Sequence, residues 1–176
     1  GSTNALAGSG QGIFQSYALG DVICPACSNV GGLVGSFGNG ASFPKIQDSF
    51  ARGNVTGDSN VGGLVGLLQS GGTEVLTLSN SYSSSTVTGN TNVGGSIGNT
   101  DFVSGGSASY TNIVYDSTTA AAVTDADGTS AGGDPAGMSG EATTWLQDKT
   151  NLNGLWDWVG TATETWVMPK DDDSAG

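Results

Sequence analysis

Short apolar runs recur along this chain at a fixed interval, with polar positions recurring between them. Ile13, Ile46, Leu78 and Tyr110 fall in one column, and Tyr17, Phe50, Tyr82 and Val114 in a second, four residues later each time. Val22, Val55 and Val87 make a third, Val30, Val61 and Val93 a fourth, and Val34, Val65 and Ile97 a fifth. These are β-branched, aromatic or leucine side chains, which fit a pleated, half-buried surface. The phrase NVGG marks the interval: it starts at Asn29, Asn60 and Asn92, in steps of 31 and 32 residues. A period of that size predicts one supersecondary unit stacked on itself.

Polar residues hold the same register. Gln15, Asp48, Asn80 and Asn112 form one column, and Asn29, Asn60 and Asn92 another. In a stack of coils, such amides lie one strand spacing apart and hydrogen-bond along the stack. Gly31, Gly32 and Gly35 recur as Gly62, Gly63 and Gly66, then as Gly94, Gly95 and Gly98. They predict tight corners, with positive φ and no room for a side chain against the next coil. With 31 glycines and no apolar stripe of period 3.6, a helical solenoid is excluded. The glycines do not fall at every third position, which excludes a collagen-like chain. The expectation is an all-β parallel β-helix of about four coils.

The core of the repeat reads GGLVG at residues 31–35 and 62–66, and GGSIG at residues 94–98. Ahead of it stand DSFARGNVTG from Asp48 and NSYSSSTVTG from Asn80. Over roughly residues 13–116 this pattern resembles the GLUG-motif repeat family of bacterial and archaeal surface and secreted proteins. The resemblance implies a secreted, extracellular or cell-surface, adhesin-like role. It carries no catalytic residue.

Residues 1–12 are a lead-in or partial coil, since ALAGSGQG echoes GLVGSFGNG. The repeats occupy residues 13–123, with coils at 13–45, 46–77 and 78–109 and a partial coil from Tyr110. Within them, residues 36–45, 67–77 and 99–109 keep their length but not their sequence, which predicts loops or weak strands. The repeat is expected to stop at about Thr124. Residues 124–176 are then a loop, a short helix over 141–149 with Ser139 as its N-cap, and a cap rich in tryptophan.

Composition narrows the partners. Four Lys and Arg stand against 16 Asp and Glu, a net charge of −12, with no His. That argues against nucleic acid and anionic membrane, which both require basic patches. No hydrophobic run is long enough to span a bilayer, so no membrane insertion is expected.

Three constellations could carry chemistry. Cys24 and Cys27 form CPAC, in a turn two residues longer than its counterpart in the next coil. Zinc needs two further ligands, and no His or third Cys exists, so a local disulfide pinning the inserted turn is the expectation. Asp125, Asp127 and Asp134 place oxygens as a calcium loop would, though Asp and Gly also make ordinary turns. A catalytic groove of the kind seen in carbohydrate-active β-helices would draw on Asp48, Arg52, Asp58 and Asp101. With few coils and no His, the chain reads as a non-enzyme without an obligate cofactor. Asn54-Val55-Thr56 is a glycosylation sequon.

The functional expectation is a non-catalytic building block of a microbial surface fibre or adhesin. Its partners are copies of itself stacked end to end, or a cell-surface or host ligand. End-to-end contact would bring Leu6, Ile13 or Phe14 of one subunit near Trp156, Trp158 or Trp166 of the next. The alternative is a glycan- or calcium-binding adhesion module of a larger surface protein.

Overall fold

The structure, a computed structural model, describes residues 2–3, 12–38, 44–103, 105–129, 133–148 and 151. Four parallel sheets form the walls of a β-solenoid of about three turns, with partial turns at both ends. Wall A holds β1 (Ser2–Thr3), β6 (Val34–Gly38), β11 (Val65–Ser70) and β15 (Ile97–Phe102). Wall B holds β2 (Gly12–Phe14), β7 (Lys45–Gln47), β12 (Val75–Ser84), β16 (Ser107–Asp116) and β17 (Met138–Glu141). The same wall is extended by β3 (Tyr17–Ala18) and β8 (Phe50–Arg52). Wall C holds β4 (Val22–Ile23), β9 (Val55–Thr56) and β13 (Val87–Thr88), and wall D holds β5 (Ser28–Gly31), β10 (Ser59–Gly62) and β14 (Thr91–Gly94). Each turn runs B, C, D, A. A short helix, α1 (Thr143–Leu146), follows β17.

The columns in the sequence are the register of the sheets. Ile13 pairs Ile46, Ile46 pairs Leu78, and Leu78 pairs Tyr110. Val61 lies between Val30 and Val93, Val55 between Val22 and Val87, and Val65 between Val34 and Ile97. Ile46, Val61, Val65, Leu78 and Ile97 are wholly buried in one continuous core. The aromatic column stands outside that cluster. Its rings stack, Tyr17 on Phe50 at 5.4 Å between centroids and Phe50 on Tyr82 at 4.9 Å.

The two amide columns are the corners. The non-glycine residues with positive φ among those described are Gln15, Asp48, Asn80 and Asn112 in one column and Asn29, Asn60 and Asn92 in the other, at 46° to 59°. Asn and Asp tolerate this left-handed conformation better than other side-chain-bearing residues. Four of the corner amides also donate to the coil before them. Asn60 Nδ2 reaches Asn29 Oδ1 at 2.7 Å, and Asn92 Nδ2 reaches Asn60 Oδ1 at 2.9 Å. Asn80 Nδ2 reaches Asp48 Oδ1 at 3.2 Å, and Asn112 Nδ2 reaches Asn80 Oδ1 at 3.0 Å. Just past the first corner, serines serve the backbone: Ser49 Oγ accepts from Ser16 N, and Ser81 Oγ accepts from Ser49 N, both at 3.2 Å.

The repeated glycines serve close approach, and none of the nine is at positive φ. A Cβ on Gly62 would run into the Val65 carbonyl and come within 2.6 Å of Gly98 N. One on Gly63 would strike the Ser83 hydroxyl, which comes across the interior from wall B to donate to Gly95 O at 2.8 Å.

Two expectations are refined. Of the loops or weak strands expected in the segments of variable sequence, strands are what largely forms: β11 and β15 reach Ser70 and Phe102, and β12 and β16 begin at Val75 and Ser107. Inward positions stay filled in spite of the variation, as Phe37 and Leu68 pair and Leu76 is buried. The helix is also shorter than expected. Met138–Glu141 is a strand, held by parallel pairing to Ile113–Asp116, and it buries Met138. α1 begins only at Thr143, after Ala142 rather than Ser139, with no side-chain cap.

Val61→Asp places an unpaired charge where neither water nor a cation reaches. It should lower unfolding stability by about 4 kcal/mol in a urea titration, while Asp at exposed Thr88 should change it by less than about 0.5 kcal/mol.

Candidate functional site at the ends of the stack

The first and last coils of the described residues differ. At the C-terminal end the coil continues beyond the point where the repeat fades. Ser96 N and Ile97 N donate to Ala126 O, both at 2.9 Å, and Gly128 N donates back to Ile97 O at 2.9 Å. Asp125-Ala126-Asp127-Gly128 thus takes the place of Gly95-Ser96-Ile97-Gly98. This corrects the expected stop at about Thr124. Asp127, bridged to Ile97, is buried at the end of the apolar column of Val34, Val65 and Ile97. Its Oδ1 accepts from Thr129 N at 3.0 Å and from Thr129 Oγ1 at 2.7 Å.

Two more aspartates close this end. Asp116 is 1% exposed. Its carboxylate accepts from Thr118 N at 2.9 Å, Thr119 N at 3.2 Å and Thr143 Oγ1 at 2.8 Å, tying the last turn and α1 together. Asp134 accepts from Ala126 N and, at 3.1 Å, from Gly140 N, joining the last coil to β17. Buried carboxylates are tolerable when hydrogen-bonded in this way. Asp125 accepts from Thr124 Oγ1 at 3.0 Å. The three calcium candidates thus accept from backbone and threonine donors. No group of three His, Cys, Asp or Glu side chains able to hold a metal occurs among the described residues.

At the N-terminal end, β2, β3, β4 and β5 each have a strand neighbour on one side only among the described residues. Their side chains break the pattern of the later coils. Phe14 pairs Gln47, and the same column continues with Ser79 and Thr111. Ile23 pairs Thr56, followed by Thr88. One residue past the Ala18–Ala51 pair, Leu19 falls opposite Arg52, in a column that continues with Ser84, Asp116 and Glu141. Tyr17 heads the aromatic column, which ends in Val114 and Ser139. Phe14, Tyr17, Leu19 and Ile23 are 40%, 61%, 53% and 63% exposed. The fold does not need apolar side chains at the first, third and fourth of these, because later coils put polar ones there. A sequence reading aligned to inward columns passes over them; comparing outward positions coil by coil would have found them.

Of the expected contact residues, Ile13 is half-buried against the core and Phe14 is exposed. Leu6, Trp156, Trp158 and Trp166 lie outside the described residues. Cys24 and Cys27 form a disulfide, with Cα atoms 5.3 Å apart, in the turn between β4 and β5. Asp48 belongs to an amide corner, Asp58 accepts from Asn90 Nδ2 at 2.8 Å beside wall D, and Asp101 is on wall A, so these acids stand on different faces of the coil. Asn54 is exposed, just ahead of β9. No helix among the described residues is long and apolar enough to cross a membrane. No protein-family model matches the chain, and no curated protein and no solved structure matches it.

Two outcomes follow from these ends. Burial, and after it the negative charge of Asp127, raises the Tyr110 phenol above its ordinary value of 10.0. The folded state then keeps a proton that the unfolded state loses, so stability is constant below about pH 10 and falls as pH rises beyond it. Urea titrations between pH 8 and 11 should show that fall, and Tyr110→Phe should flatten it. Reduction of Cys24–Cys27 should add two hydrogens by mass and cost at most about 2 kcal/mol in the same titration, because the closed loop is so short.

Proposed function

We propose that this chain is a non-catalytic structural building block of an extracellular microbial fibre or adhesin, and that it associates with its own kind through an end of the stack. The first coil carries the reading. Among the described residues its strands have a neighbour on one side only, and it carries four exposed apolar side chains, a combination that templates further pairing. The other features agree with a structural role. The corner amides, buried serines and end carboxylates serve the backbone or one another. The likeness of the repeat phrase to the GLUG motif supports a surface location, as does the disulfide.

Light scattering coupled to gel filtration tests this reading. The purified chain should form assemblies larger than one subunit at micromolar concentration. They should survive 0.5 M salt, because backbone pairing and apolar contact are not screened. A monomer at every concentration up to the millimolar range would sink self-association.

A further inference from the structure

We infer that Asn54 is the acceptor of an N-linked oligosaccharide, which stands on the outer face of wall C. This rests on the extracellular location proposed above and not on self-association. Asn54-Val55-Thr56 is the one Asn-X-Ser/Thr sequence of the chain. Three features of the structure make the motif a site.

The fold does not ask for asparagine at this position. Val55 pairs Val22 and Val87, so the residue ahead of it falls in a column of Asp21, Asn54 and Thr86. Three different side chains stand there on equivalent backbone. At the corners, by contrast, asparagine recurs from coil to coil, because it takes the left-handed conformation and makes the ladder.

The amide of Asn54 is also free. The five corner asparagines, Asn90 and Asn151 each have a side-chain hydrogen bond. Among the described residues the side chains of Asn54 and Asn99 have none, and Asn99 is followed two positions on by Asp101 instead of a hydroxyl. Only the backbone of Asn54 is engaged: its N–H donates to Asp21 Oδ1 at 2.7 Å, and its carbonyl accepts from Val22 N at 2.8 Å. Its position is thereby fixed, and Nδ2 is left unused.

The third feature is orientation and room. Val55 is 1% exposed and faces the core. Alternation along the strand then turns the side chains of Asn54 and Thr56 outward together. Asn54 is exposed, and the next coil sets beside this pair only Thr86 and Thr88, which are short and exposed. A bulky, hydrated glycan requires a surface of this kind.

The donor is an oligosaccharide linked through phosphate to a lipid. A bond forms between Asn54 Nδ2 and the first carbon of the sugar. The bond from that carbon to the phosphate oxygen breaks, the lipid phosphate leaves, and the amide gives up one of its two protons. The Thr56 hydroxyl completes the sequence that the transferring enzyme reads.

The test takes the protein from its own cells, with cytoplasm separated from cell surface and medium, and maps its mass by fragmentation. The protein outside the cytoplasm should be heavier than its sequence by whole sugar residues, all of them on Asn54. Thr56→Ala should lose the added mass and Thr56→Ser should keep it. Both variants should retain the circular dichroism of the unaltered chain, since the Thr56 hydroxyl has no hydrogen bond among the described residues. A bare Asn54 on the protein outside the cytoplasm would overturn the inference and leave the location standing. A chain confined to the cytoplasm would overturn both. Sugar retained in Thr56→Ala, or lost in Thr56→Ser, would also overturn the inference, since the sequon would then not direct the attachment.

Discussion

The hydrogen-bonded step from one coil to the next is the constraint on which this molecule depends. In a parallel stack, each strand's backbone finds its partners in the coils above and below, never in its own coil. A side chain therefore has near-copies of itself as neighbours, one strand spacing away. The Asn–Asn steps at 2.7 and 2.9 Å and the stacked Phe50–Tyr82 rings are what that geometry gives when like meets like. Glycine follows from the same step. The coil is so narrow at the wall D corner that the Cβ position of Gly62 is taken by Val65 O and crowded by Gly98 N.

Because register is set by the backbone, the middle of the fold was legible in the sequence. The inward columns emerge from counting alone, and Ile46, Leu78 and Val61 are buried where the count puts them. The corner role of the amides was not legible. Laddering and left-handed backbone both favour Asn, and composition does not separate the two causes. Glycine was legible by half: the expected crowding against the next coil is present at Gly62 and Gly63, and the expected positive φ is not. The variable segments left loops and weak strands both open because strand pairing constrains only alternate side chains, and the backbone bonds that hold Leu68 against Phe37 and Thr100 are indifferent to what faces outward.

The ends were hardest to read, for a physical reason. A repeat is visible because interior coils share one environment. An end coil has a different one, so its sequence departs from the pattern just where the structure continues. Ala126 and Asp127 stand in for Ser96 and Ile97 with a shortened interval and a charge in a core column. Such a substitution reads as the loss of the repeat, and as a metal loop, until the backbone pairing is seen.

The first and last coils differ. The last uses carboxylates as acceptors for its N–H groups. In the first, whose strands have a neighbour on one side only among the described residues, the chain places the Cys24–Cys27 cross-link. The turn it closes is pinned on its inner side, where Cys24 N donates to Thr56 O at 2.9 Å and Asp58 N to Cys27 O at 2.8 Å. Its outer side lacks a coil among the described residues. A coil with neighbours on one side has about half the inter-coil hydrogen bonds of an interior one, so it is the first to open locally. A short covalent loop adds little to global stability, but it acts on this local opening by holding β4 and β5 in one geometry. The insertion that supplies the two cysteines stands next to Ile23, at one margin of the apolar patch. The cross-link and the outward apolar side chains therefore share one margin of the first coil, and the covalent loop keeps that margin ordered.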